Sequence, residues 1–176
     1  TGLVDDAARG YRRAGELLEQ AGAVQERARS LLGLGRVLAA RNPDAAAESL
    51  DESARLSEQA GNNAARAIAR LHRARLDLSR GVLDGVEGAL DDAASALEGW
   101  RNESLLCTMT RVDLHLGRGE HGLAEQVASA TMDEARGLGH SIYHAELLWR
   151  RAVARRALGR SADALADLRE AVGVIE

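Results

Sequence analysis

Several groups of residues have types and spacings that could support chemistry. Gly117-Arg118-Gly119-Glu120-His121-Gly122 fits the Gly-x-Gly-x-x-Gly pattern that cradles a dinucleotide pyrophosphate. That chemistry needs a strand before the glycines and a helix after them. Here the segment falls between two helical stretches, so it reads as a turn. His140 and His144 stand four apart with Glu146 nearby, a spacing that lets two imidazoles share a metal on one helix. No third ligand is set by local spacing, and His140 falls in a Gly-rich turn, so capping or solvent exposure is the preferred reading. Adjacent acids occur at Asp5-Asp6, Asp91-Asp92 and Asp133-Glu134. Neighbours on a helix diverge, so such pairs do not converge as acid and base. Cys107 lies beside Leu105, Leu106 and Met109, where a buried thiol is expected rather than a nucleophile. His72 or His115 could approach it only through the fold. No Ser-His-Asp grouping stands out. With no lysine among its 23 basic residues, the chain can hold no Gly-Lys-Ser/Thr phosphate loop. The expectation is a protein without catalytic residues, cofactor or metal.

The elements that must position these residues are helices. The 176 residues include 34 Ala and 26 Leu but only 17 of Val, Ile and Thr together, and no Phe. Straight-chain and small residues keep their freedom in a helix, whereas β-branched ones favour strands. A net charge of −4, spread without a basic arm or acidic tail, argues against nucleic-acid binding. A single cysteine excludes an internal disulfide and fits a reducing, cytoplasmic setting. No apolar run approaches the ~20 residues of a membrane helix.

One trio recurs at i, i+4, i+7: Ala7-Tyr11-Ala14, Ala46-Leu50-Ser53, Val86-Leu90-Ala93, Ala124-Ala128-Thr131 and Ala164-Leu168-Ala171, spaced 39, 40, 38 and 40 residues apart. The spacing places each trio on one helical face, with small residues that admit a close neighbour. A first-type helix precedes each of the last four, with apolar positions Leu31-Leu34-Leu38, Leu71-Ala74-Leu78, Met109-Val112-Leu116 and Trp149-Ala152; the last stripe fails at Arg156. Gly-rich or Asn-Pro turns separate the two types, and Asn63, Asn102 and Ser141 are candidate helix caps. The pattern predicts nine helices, over 3–20, 23–40, 44–60, 63–80, 84–98, 103–117, 121–136, 141–158 and 162–175. They form a lone helix followed by hairpins 23–60, 63–98, 103–136 and 141–175, in one domain over 1–176. Starting at Thr1 and ending inside a predicted helix, the chain is expected to be a fragment of a longer protein.

These residues resemble the tetratricopeptide repeat, whose second helix carries a small–large–small trio after a Gly-Asp-like turn. Ala164-Leu168-Ala171 after Gly159 is the best match. The period is longer than the about 34 residues of standard repeats, and Leu or Ala mostly replaces the aromatic positions. In this lengthened form the array is similar to the repeat region of maltose-activator-like and LuxR-type bacterial transcriptional regulators and related signalling ATPases. The resemblance implies an all-α, right-handed superhelical solenoid whose first-type helices line the concave face. It also implies a non-enzymatic scaffold for a protein or peptide partner, or for other domains of the same chain. A sensor enclosing a small-molecule inducer is the alternative. Candidate partner-binding residues flank the apolar stripes: His72, Arg75, Asp113, Trp149 and Arg150, with Trp100 in a turn. Trp149 reads equally as a core residue in the Leu31/Leu71/Met109 column. Arg66, Arg70 and Arg73, like Arg151 and Arg155, follow helical spacing opposite acidic second-type helices. Ion pairing between neighbouring helices is the preferred reading; a face that grips a partner's carboxylates is the other.

Overall fold

The structure is a computed structural model that describes residues 2–137 and 141–175. Among the described residues it contains nine helices and no strand: α1 (Gly2–Gln20), α2 (Val24–Leu38), α3 (Pro43–Gln59), α4 (Asn63–Ser79), α5 (Val86–Ala96), α6 (Arg101–Gly117), α7 (His121–Gly137), α8 (Ser141–Ala157) and α9 (Ser161–Ile175). No helix there is long and apolar enough to cross a membrane.

Local chemistry sets the boundaries. Pro43 opens α3 at a position where its missing N–H costs nothing, and the Asn42 side chain accepts from the Ala45 N–H at 3.2 Å. For α4 the cap is Asn62, not Asn63: its side chain accepts from the Ala65 N–H at 3.0 Å. The turn after α3 ends at Gly61, so the first asparagine of the pair reaches the cap position. Asn102 likewise falls inside the first turn of α6, and Trp100 stands at its cap with no side-chain bond. Ser141 is the first residue of α8, and the turn residues Leu138 and Gly139 lie outside the described residues. Helix α5 is shorter than its pattern predicts. Gly85 has φ +74°, a left-handed conformation that keeps the helix from beginning at Asp84.

The helices belong to two compact units. The first comprises residues 1–80 and 91–97, the second residues 81–90 and 98–176. In the first, α1 packs on α2, α2 on α3 and α3 on α4, and α2 also touches α4. Ala8, Leu34, Leu38, Ala46, Leu50 and Leu76 form its core. Helices α2 and α3 approach closely. A methyl group on Gly35 would stand 2.6 Å from Leu50 Cγ and 3.2 Å from the Ala46 carbonyl oxygen. In the second unit α6 packs on α7, α7 on α8 and α8 on α9, and α6 also touches α8. Its core includes Leu105, Met109, Val112, Met132, Leu147 and Leu148. The central residues of the three middle trios lie at helix contacts: Leu50, Leu90 and Ala128 are each at most 1 % exposed, whereas Tyr11 and Leu168 are exposed.

Candidate functional site

The arginines with helical spacing serve the fold. Arg66 pairs with Glu58 at 3.6 Å and Arg73 with Asp51 at 3.3 Å, both reaching from α4 to α3, and Arg70 pairs with Asp92 at 3.1 Å. In the second unit Arg151 meets Asp167 at 2.6 Å and Arg155 meets Glu125 at 2.8 Å. All five therefore find carboxylates on neighbouring helices, as alternating charge between helix types predicts. Asp167 is buried, and two guanidiniums, from Arg151 and Arg155, offset the cost of burying its charge.

The other chemical candidates disperse. Among adjacent acids, Asp5 turns to Arg41 at 2.9 Å while Asp6 pairs with Arg9. The glycine motif is a helix-to-helix turn between α6 and α7, with Gly119 at φ +75°. Within that turn His115 Nδ1 and Glu120 Oε2 lie 2.6 Å apart. The Cys107 thiol is buried and donates to the Leu90 carbonyl at 3.4 Å. His140 lies outside the described residues. His144 is buried in α8, with Nε2 3.6 Å from Glu170. Burial, and then the charge of Arg136, lower its pKa against the pull of Glu170. Among the described residues no group of three or more His, Cys, Asp or Glu could hold a metal ion.

The partner-binding candidates fall into both units. Asp113 and Arg150 meet each other: Arg150 Nε donates to Oδ1 at 2.7 Å and Nη2 to Oδ2 at 2.9 Å, while Nη1 reaches Glu146 at 3.1 Å. Arg150 is buried, so it is part of the α6–α8 contact rather than an open groove side chain. Burial works to lower its pKa, but the Asp113 hydrogen bond and the charges of Asp113 and Glu146 outweigh that and hold it above the ordinary value. Trp149 leaves the core column. It is 52 % exposed, and Leu147 and Leu148 just before it fill the interior instead. Its ring lies beneath the Arg150 guanidinium, 5.9 Å from centroid to Cζ, a cation–π distance. Trp100 is also exposed, at the start of α6.

His72 sits in a different environment, on α4 in the first unit. It is half-buried, and its pKa is lowered to about 4 by burial and then by the positive charges of Arg36 and Arg75. Arg75 lies one helical turn along α4, and Arg36 comes from α2, the helix that touches α4. Positive charge from two helices therefore acts on the ring, and burial first, then that repulsion, favours the neutral imidazole. Arg36 was missed at the sequence level. The signal for it was Arg29 and Arg36 at i, i+7 on one side of a first-type helix. Electrostatically, the surroundings of the ring favour negative charge over positive.

No family model matches this chain, and neither does any curated protein sequence.

Proposed function

We propose that this chain is a non-enzymatic protein- or peptide-binding scaffold, and that the α2–α4 surface around His72 receives an acidic segment of its partner. One observation supports the reading: His72 is half-buried on α4, the helix that α2 touches, and beyond its burial the ring feels the positive charge of Arg36 on α2 and of Arg75 on α4. Both helices are of the first type, which lines the inner surface in the tetratricopeptide arrangement that the repeat resembles. Further along that resemblance, the scaffold is the interaction module of a bacterial transcriptional regulator or signalling protein, working in the cytoplasm.

The reading is tested by titrating the 15N-labelled chain with a synthetic peptide, acetyl-Glu-Glu-Leu-Glu-Glu-amide. Expected are amide shifts centred on residues 36, 72 and 75, lost in Arg36→Glu. Shifts scattered over the surface, or unchanged in Arg36→Glu, would reject it.

A further inference from the structure

The inner side of α9 is smooth apart from one carboxylate. Among the described residues, its buried positions are Ala164, Asp167 and Ala171, at i, i+3 and i+7 and 5 %, 2 % and 8 % exposed. Val174 adds a half-buried side chain near the end of the helix. Hairpin α2–α3 is built differently. There Leu50 fills the place left open by Gly35, so closely that an added methyl would stand 2.6 Å from Leu50 Cγ. A branched side chain seated in a glycine notch cannot slide along the neighbouring helix without a clash. Two alanines offer no such obstacle. Packing through small residues alone satisfies more than one register, and uniqueness is lost before stability is.

The charges of this hairpin do distinguish registers. Asp167 Oδ1 accepts from Arg151 Nη2 at 2.6 Å, and Oδ2 from Arg151 Nε at 3.1 Å. One turn further along α8, Arg155 Nη1 donates to both oxygens at 2.9 Å. The two arginines are themselves held by α7. Arg155 Nε donates to Glu125 Oε1 at 2.8 Å, and Arg151 Nη1 to Ser129 Oγ at 3.5 Å. Sliding α9 by one turn would move Asp167 by about 5 Å and strip it of both guanidiniums. A buried carboxylate without partners is costly, whereas the complete cluster adds little net stability, because desolvating the charges cancels most of what pairing returns. Its effect therefore falls on which packing is adopted. The arrangement is particular to this hairpin: the residues before Leu50, Leu90 and Ala128, in register with Asp167, are Ser49, Ala89 and Val127, none of them charged.

We propose that Asp167, clasped by Arg151 and Arg155, is a register pin that fixes the position of α9 along α8 and contributes specificity rather than strength. The pin is separate from the His72 surface and does not rest on the acidic-partner reading.

The test removes all three charges together, in the full chain, as Asp167→Leu with Arg151→Met and Arg155→Met. Amide correlation spectra of the 15N-labelled variant read the register, and thermal unfolding followed by circular dichroism reads the strength. Expected are native helicity and a melting temperature no lower than that of the parent chain, with the amides of residues 161–175 split into several sets or broadened by exchange. A single sharp set for those residues would overturn the proposal, because the register would then survive without the pin. A clearly lower melting temperature, or loss of the fold, would also overturn it, because the cluster would then supply strength.

Discussion

The Arg150 guanidinium holds Asp113 with two parallel hydrogen bonds, at 2.7 and 2.9 Å, and so ties α8 to α6 across the helix between them. Arg150 is buried, and its positive charge is balanced by that carboxylate and by Glu146. Asp113→Asn keeps the shape and removes the charge. We expect a loss of about 1–3 kcal/mol in urea unfolding, because a buried cation is left with Glu146 alone. The double variant Arg150→Met with Asp113→Leu should recover most of that loss, since no charge then remains to be desolvated. A single variant as stable as the parent chain would contradict this account of the contact.

Two glycines of α2 predict opposite outcomes for the same substitution. Alanine in a helix interior gains about 1 kcal/mol over glycine from propensity alone. At Gly35 the new methyl would meet Leu50 at 2.6 Å and backbone at 3.2 Å, and Leu50 is buried and cannot move aside. Gly35→Ala should therefore destabilise by about 1–3 kcal/mol, as overpacked cores do. At Gly33 the methyl would meet only the far end of the Tyr11 ring, at 2.5 Å, and Tyr11 is exposed enough to swing away. Gly33→Ala should be neutral or slightly stabilising. Thermal unfolding of both variants distinguishes them, and equal effects would contradict the packing argument.

Much of this was legible beforehand, for identifiable reasons. The trio from Ala46 to Ser53 recurs because each second-type helix meets two neighbours, so small residues and a buried Leu50 are required at fixed places. The helices followed from that. Trp149 was ambiguous because periodicity places a residue within a stripe but does not say which of two adjacent positions turns inward. Leu148 takes the interior, and the indole goes out beneath Arg150. Arg150 and Asp113 looked like groove residues because their partnership spans 37 residues, which no local spacing reveals. The convergence of Arg36 on His72 was hidden for the same reason.

Stability should depend on pH through His72. Its folded pKa, about 4, lies below its ordinary value of 6.5. Between those values the unfolded chain binds more protons than the folded one, so stability rises with pH there. The contribution of His72 is fully present above 6.5 and is lost as pH falls toward 4. The slope from this group alone is at most about 1.4 kcal/mol per pH unit. Urea midpoints for the parent chain and His72→Gln should therefore diverge as pH falls from 6.5 toward 4, with the flatter profile in the variant. Parallel profiles would mean that His72 titrates normally.

Cys107 should be unreactive in the folded chain. Its thiol is buried against the Leu90 carbonyl. A disulfide reagent such as Ellman's should modify it at least about a hundredfold more slowly in buffer than in 6 M urea, because reaction requires opening of the α5–α6 contact. Fast modification in buffer would contradict the packing of α6 on Leu90.

The central claim, that the His72 surface receives negative charge, is tested most directly by proton uptake on binding. A carboxylate placed among Arg36, His72 and Arg75 raises the pKa of the imidazole, so binding must take up protons. Calorimetric titration with the acidic pentapeptide at pH 5.5, in two buffers of different ionisation enthalpy, measures that number. We predict a positive fractional uptake, absent in His72→Gln, and affinity that strengthens as pH falls. Binding with no proton uptake, or with the same uptake in His72→Gln, would contradict it.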